Sequence, residues 1–254
     1  MDFNNKVVII TGASAGIGAD AAILFAKQSA KVVLVGRNET ALLDVAKKCE
    51  DIKGIKPLTV RAELTDDEDV KKIVDKTIEH FGRIDILVNN AGVGFHGGIR
   101  DGVEIFDRAM ATNVRPAYLL TSLATPYLVQ FKGNIINVSS VAAFKPIKDI
   151  AFLPYCMSKA ALDQFTRCVA LELGRDGVRV NSVNPGGTKT NFVETAGFSK
   201  EQIEKLYETR EQTYPLRKMA KSEEVADLIL YLASDRADSI TGATFVIDNG
   251  ETLM

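Results

Sequence analysis

The chain has 254 residues, 46% of them hydrophobic and 25% charged, which is ordinary globular usage with ample apolar surface for a core, so intrinsic disorder is excluded. A formal net charge of −2 and an isoelectric point near 5.8 provide no broad positive field, which argues against nucleic acid or an anionic membrane as partner and favours a small molecule. Cys49, Cys156 and Cys168 form neither a CxxC pair nor a disulfide framework, so the expectation is a reducing, cytoplasmic setting and no bound metal.

Met1 to Lys6 run straight into Val7-Val8-Ile9-Ile10, leaving no apolar stretch of signal-peptide type, and no later run approaches membrane-spanning length. The β-branched run reads as a strand buried on both faces, closed by Thr11-Gly12. Helical spacing from Ala19 to Ala30 and a second strand at Lys31–Val35 complete a βαβ unit. The alternation continues with a helix near Glu39–Cys49, a strand at Leu58–Arg61, a helix at Asp67–Phe81 and a strand at Ile84–Val88. There follow one long helix from Val103 to Val129, the strand Asn134–Val138, a helix from Tyr155 to Gly174 and the strand Val178–Val183. Helices near Lys200–Gln212 and Glu223–Ser234 precede a last strand at Thr244–Asp248. No linker, repeat or low-complexity segment interrupts the pattern. The expected fold is α/β: one domain, residues 1–254, with a doubly wound Rossmann-type parallel sheet of about seven strands and helices on both faces.

Thr11-Gly12-Ala13-Ser14-Ala15-Gly16-Ile17-Gly18 joins the first strand to the first helix, where free backbone N–H groups and the positive helix end receive a pyrophosphate. Gly12-Ala13-Ser14-Ala15-Gly16 also fits the Gly-x-Ser-x-Gly nucleophile elbow of hydrolases. That reading needs a histidine late in the chain, and the only two are His80 and His96. At the end of the second strand, Gly36-Arg37-Asn38 offers a guanidinium and no acid where the adenosine ribose is met, which favours NADP(H) over NAD(H). Tyr155 and Lys159, four residues apart on a predicted helix, share a face, and a nearby ammonium makes the phenol a usable acid or base.

With these motifs, Asn89-Asn90-Ala91-Gly92, Asn113, Asn137-Val138-Ser139-Ser140 and Asn184-Pro185-Gly186 make the chain resemble the short-chain dehydrogenase/reductase superfamily, in particular 3-oxoacyl reductase-like NADP(H)-dependent carbonyl reductases. The resemblance implies an oxidoreductase with a tetrad of Asn113, Ser140, Tyr155 and Lys159. Tyr155 would donate the proton, Ser140 would bind the substrate oxygen, Lys159 would also reach the nicotinamide ribose, and Asn113 would support a water relay. Ser139 is the rival to Ser140 on the opposite face of the strand, and the family pattern favours Ser140. Cofactor contacts are expected from Gly12, Ser14, Ala15, Gly16, Ile17, Gly18, Arg37, Asn38, Asn90, Ala91, Gly92, Tyr155, Lys159, Pro185, Gly186, Thr188 and Thr190. Thr188 and Thr190 have a turn or cap role as the alternative. Glu63 stands where relatives tend to carry an aspartate, and no role is given to it, to His96 or to Cys156.

The stretch Phe144 to Pro154 is slightly longer than expected of relatives and is taken to shape the pocket. With Phe192, Phe198 and Tyr207 in a candidate lid over residues 191–214, it points to a lipophilic ketone or alcohol as substrate, Ser140, Tyr155 and Phe192 touching it. The resemblance also implies a homotetramer built on the two long helices. Two other readings stand beside the enzyme: a catalytically weak NADP(H)-binding sensor or scaffold, and a 3-oxoacyl reductase that receives an acidic carrier protein on Lys145, Lys148 and Arg100.

Overall fold

β1 (Val7–Thr11) is buried at every position, as a strand covered on both faces must be. Val8 and Ile10 enter one apolar cluster, and Val7 and Ile9 the other. The computed structural model describes residues 1–147, 151–195 and 197–254. In chain order follow α1 (Gly16–Lys27), β2 (Lys31–Gly36), α2 (Glu39–Lys53), β3 (Leu58–Arg61), α3 (Asp67–Phe81), β4 (Ile86–Asn89), α4 (Glu104–Asn113), α5 (Arg115–Gln130) and β5 (Asn134–Val138). Then come α6 (Leu153–Leu173), β6 (Arg179–Pro185), β7 (Thr188–Lys189), α7 (Phe192–Thr195), α8 (Lys200–Thr213), β8 (Ala220–Lys221), α9 (Ser222–Ala233) and β9 (Thr244–Ile247).

Seven strands form one sheet in the order β3-β2-β1-β4-β5-β6-β9, every pair parallel. β7 and β8 pair in a short separate ribbon. The chain runs outward from β1 to β3 and then crosses back to β4 on the other side of β1, so the loops leaving β1 and β4 fold apart and open a crevice at the carboxyl edge. Side chains of α1, α2 and α9 cover one face, and those of α3, α5 and α6 the other.

Local chemistry sets the helix ends. Asn38 caps α2 through Ala41 N, Asp66 caps α3, and Gly54 and Gly82 close these helices with left-handed φ. The single helix expected over Val103–Val129 is two. Pro116, in the first turn of α5, has no N–H to continue the ladder and disfavours helical geometry in the residue before it. The break puts Asn113 at the joint, turned inward and 2% exposed. α1 begins at Gly16, earlier than the apolar spacing indicates, because its first turn is built from the glycine loop itself. β4 starts at Ile86, not Ile84, and β6 runs on to Pro185, where it pairs with Ile247.

Candidate active site

A cleft of about 340 Å³ opens at the carboxyl edge of the sheet. Gly12, Ser14, Ala15, Gly16 and Ile17 line one end. Gly12 and Gly16 take φ of +66° and +54°, which side chains avoid. A Cβ on Gly12 would also stand 2.9 Å from Asn90 Nδ2. Gly18 is not on the wall; it lets α1 press against the loop. Asn90 ties the loop down, donating from Nδ2 to the Thr11 and Gly12 carbonyls, while the N–H groups of Asn90 and Ala91 both donate to Thr11 Oγ1. The N-cap residue of α1, Ala15, makes no side-chain capping bond, and the first turn holds no acid. An uncapped helix N-terminus beside two glycines that leave the backbone open to close approach fits the pyrophosphate of a dinucleotide.

Gly36 and Arg37 line the cleft at the end of β2. The exposed Arg37 guanidinium lies 3.5 Å from the Glu63 carboxylate, so the acid set aside on sequence is the partner of the cation singled out there. Asn38 is not among the lining residues. Its side chain is occupied in capping α2, an assignment that the capping preference of Asn before a helical run would have supported.

At the other end, Ser140 leaves β5 and meets Tyr155 and Lys159 from α6. Burial holds the Tyr155 phenol well above its ordinary value, hence protonated, with the neighbouring Ser140 hydroxyl opposing in part. The Ser140 hydroxyl itself donates to Pro185 O at 3.4 Å and accepts from Ala142 N at 3.1 Å. Burial lowers Lys159 to about 8, opposed in part by Asp163. Lys159 Nζ donates to Val138 O at 2.9 Å and lies 5.7 Å from the Tyr155 ring centre. Both serines line the cleft, but Ser139 is buried and tied to the Lys159 carbonyl at 3.1 Å, whereas Ser140 is half-buried.

Asn113 stands behind this wall rather than on it. Its amide brackets Val93, accepting from the backbone N–H and donating to the carbonyl, and also donates to Ser158 Oγ at 3.1 Å. Ser158 in turn donates to the Tyr155 carbonyl, so the α4–α5 joint fixes the first turn of α6. Ala91, Gly92, Pro185, Gly186, Thr188 and Thr190 all border the cleft. Thr188 Oγ1 donates to Gly186 O, and Thr190 Oγ1 accepts from Phe192 N, so both hydroxyls are engaged within their turn.

Phe152, Phe192 and Phe198 make an apolar wall beside Tyr155, with Phe152 stacked on Phe198 at 6.4 Å and Phe192 tilted against Tyr155 at 5.3 Å. His96, exposed, meets Phe152 and Phe198 edge-on. Tyr207 does not line the cleft; its hydroxyl donates to Thr190 O and, with the Lys189–Glu211 ion pair, ties α8 to the ribbon strand. Within the Phe144–Pro154 stretch, Phe144 is exposed and Ile147 and Phe152 line the cleft, while Lys148, Asp149 and Ile150 lie outside the described residues. Lys145 donates to the Glu251 and Met254 backbone oxygens, so it braces the C-terminal turn and is not a free member of a carrier-binding patch. Two charged lining residues were not singled out from the sequence, Arg210 on α8 and Glu251, whose carboxylate accepts from Gly187 N at 2.8 Å. No local pattern marks Glu251; only the pairing of β9 with β6 brings it there.

A family model described as enoyl-(acyl carrier protein) reductase matches residues 12–252. The chain is 38% identical over 259 residues to an uncharacterized oxidoreductase of Thermotoga maritima, covering 100% of both. It is 35% identical over 252 residues to L-xylulose reductase of Caenorhabditis elegans, covering 98% of this chain and 96% of that one. Among solved structures it is similar to 7α-hydroxysteroid dehydrogenase complexed with NADH and 7-oxo glycochenodeoxycholic acid, with TM-score 0.90, 30% identity and coverage of 98% and 95%. It is also similar to L-sorbose reductase from Gluconobacter frateurii complexed with NADPH and L-sorbose, with TM-score 0.89, 30% identity and coverage of 98% and 97%. These two neighbours hold different nicotinamide cofactors.

Proposed function

Because the chain belongs to the short-chain dehydrogenase/reductase family of oxidoreductases, we propose that it moves a hydride between NADP(H) and a carbonyl or secondary alcohol carbon of a lipophilic small molecule. The observation that carries this reading is the meeting of a protonated Tyr155, Ser140 and Lys159 at one end of a cleft whose other end is the glycine loop. When bound, the nicotinamide supplies the hydride to a carbonyl carbon or takes one from an alcohol carbon.

The residues supply what that transfer lacks. Negative charge grows on the substrate oxygen during reduction, and a donor already in place stabilises it best. In this reading Ser140 donates a hydrogen bond to that oxygen and aims the carbonyl, and Tyr155 gives it a proton. The Lys159 ammonium stabilises the phenolate left behind and reaches the cofactor ribose. Asn113 holds Val93 and Ser158 so that Tyr155 and Lys159 keep their spacing and a water relay has a fixed path. The aromatic wall supports an apolar substrate, touched by Phe192 and covered by a lid over residues 191–214 that carries α7 and α8.

The NADP(H) preference rests on Arg37. An exposed ion pair such as Arg37–Glu63 is held weakly, so the guanidinium is available to a 2′-phosphate, for which it gains a charge-assisted bond. Arg37→Ala is expected to lower kcat/KM for NADPH by about 10- to 100-fold, the equivalent of one hydrogen bond to a charged group, and to leave NADH almost unaffected. Parallel initial rates with the two cofactors check this.

The reaction should also depend on pH through Lys159. Below about 8 the ammonium is charged and reduction proceeds on a plateau; above it the ammonium is lost and the rate falls. A pH profile of NADPH-dependent reduction that stayed flat to pH 10 would contradict this assignment.

The direct test of the function is NADPH oxidation, with NADH in parallel, over a panel of lipophilic ketones, quinones and 3-oxoacyl thioesters. Turnover selective for NADPH and for the apolar ketones is expected. Tight NADPH binding with no turnover would favour the sensor reading, which no feature of the site favours over catalysis.

The proposal extends to assembly and setting. Residues 1–254 act as one domain, and four copies associate through α5 and α6, where Tyr118, 63% exposed, lies tilted against Phe165 at 5.7 Å. Sedimentation at micromolar concentration is expected to give a tetramer. The three free cysteines fit a reducing compartment such as the cytoplasm. No helix of the described residues is long and apolar enough to cross a membrane.

A further inference from the structure

Tyr155, Lys159 and Asp163 follow one another at four-residue steps along α6, so all three face the sheet. Asp163 is 5% exposed, and no cation among the described residues lies within ion-pair distance of it. Its carboxylate is instead held by neutral donors: Oδ1 accepts from Ser182 Oγ at 2.9 Å and Oδ2 from Asn184 Nδ2 at 2.8 Å. Asn184 Nδ2 also donates to the Ser140 carbonyl at 2.9 Å, and Ser182 Oγ lies 2.8 Å from Asn184 Oδ1. The acid on α6 is therefore roped to two side chains of β6 and, through one of them, to the residue that carries the Ser140 hydroxyl.

Hydrogen bonding alone does not call for a charge here. An asparagine would accept from Asn184 Nδ2 with its oxygen and donate to Ser182 Oγ with its amide, leaving the Ser182 hydroxyl to donate to Asn184 Oδ1. A buried carboxylate where an amide would serve needs a reason, since an uncompensated buried charge is costly. That reason stands one turn away. Lys159 is 3% exposed, and among the described residues its ammonium has one protein acceptor, Val138 O. Few charges face it: Tyr155 and Asp163 on its own helix are titratable, whereas β5 brings the Val138 carbonyl, α4 the Asn113 amide and the segment after β4 the bare Gly92. At low dielectric a carboxylate one turn distant acts on the ammonium without contact.

We propose that Asp163 is a positioning residue of the reaction, supplying the buried negative charge that keeps the Lys159 ammonium in its charged form and anchoring the strand end that presents Ser140. Its kinetic consequence rests on the hydride-transfer reading above. The opposition of Asp163 to the burial of Lys159 agrees with this role.

Asp163→Asn tests it, because it removes the charge and retains a satisfied network. Carbon-13 NMR of protein labelled at lysine Cε, with Lys159→Met identifying the resonance, reads the ammonium directly and needs no turnover. The midpoint is expected near 8 in the wild type and lower by about one pH unit or more in Asp163→Asn. The descending limb of the reduction profile should move with it, so that turnover is about tenfold lower on that limb and close to wild type near pH 6. Ser182→Ala, which removes a hydrogen bond and keeps the charge, should leave the midpoint where it is. If Asp163→Asn does not fold, the wild type still decides: the Asp163 carboxyl carbon should show a step in chemical shift at the Lys159 midpoint. An unchanged Lys159 midpoint in Asp163→Asn, or no step in the wild type, overturns the proposal. Absence of any wild-type turnover would instead overturn the functional reading and leave the NMR comparison to judge Asp163.

Discussion

Tyr155→Phe is expected to lower kcat/KM for carbonyl reduction by about 10²- to 10⁴-fold, the usual worth of a positioned proton donor, while NADPH affinity stays within a small factor of wild type. The substitution removes one hydroxyl and keeps the ring, whose contacts with Phe152 at 5.8 Å and Phe192 at 5.3 Å survive. Phenylalanine in this buried position also sheds the cost of desolvating the phenol, so folding should not suffer. Stopped-flow NADPH oxidation beside a fluorescence titration of NADPH separates the two effects. A mutant that lost cofactor binding together with turnover would show that Tyr155 holds the site together rather than transferring a proton.

Gly18→Ala should damage the enzyme at the opposite end of the cleft. On an ordinary helix the change would stabilise by about 1 kcal/mol. Here the new Cβ would stand 2.5 Å from Asn90 Nδ2 and closer still to the Gly12 carbonyl oxygen, and the second of these is backbone that cannot turn away. Overpacking of this kind costs about 1–3 kcal/mol, so the clash outweighs the propensity. Relief must come from pushing α1 and the glycine loop apart and displacing Asn90, which releases the Thr11 and Gly12 carbonyls it holds. The expected result is a lower Tm and NADPH affinity reduced by at least about tenfold, the weight of roughly one lost hydrogen bond to the phosphates. Calorimetry with and without NADPH reads both, and an unchanged ligand-induced rise in Tm would argue that the loop tolerates the methyl group.

The two substitutions act at sites that are both legible in the sequence. Tyr155 and Lys159 are separated by one helical turn, and the loop from Gly12 to Gly18 is contiguous, so each is a local pattern whose geometry follows from helix spacing or from the absence of Cβ atoms. Asn38 shows the limit of such patterns. Its position at the end of β2 points to the ribose, but the same side chain is the best N-cap for α2, and the nearer hydrogen bond wins. Asn113 lies at the joint of two helices and not inside a continuous one, because a proline in the first turn of a following helix and a proline inside one helix leave the same apolar spacing behind.

The sequence by itself determined the α/β alternation, the buried β-branched strands, the glycine loop and the Tyr155–Lys159 step, since all of these depend on residues within a few positions of one another. Only the tertiary structure decided that the Ser139 hydroxyl is tied to the Lys159 carbonyl, which acid meets Arg37, and that Glu251 and Arg210 join the wall. These depend on strand order and on crossovers that bring together residues far apart in the chain: Glu63 reaches Arg37 because β3 lies beside β2, and Glu251 reaches Gly187 because β9 lies beside β6. Asp163 belongs to the same class. Its spacing from Lys159 is local, but Ser182 and Asn184 come from the next strand, and burial, which gives its charge a function, is a property of the packed interface alone.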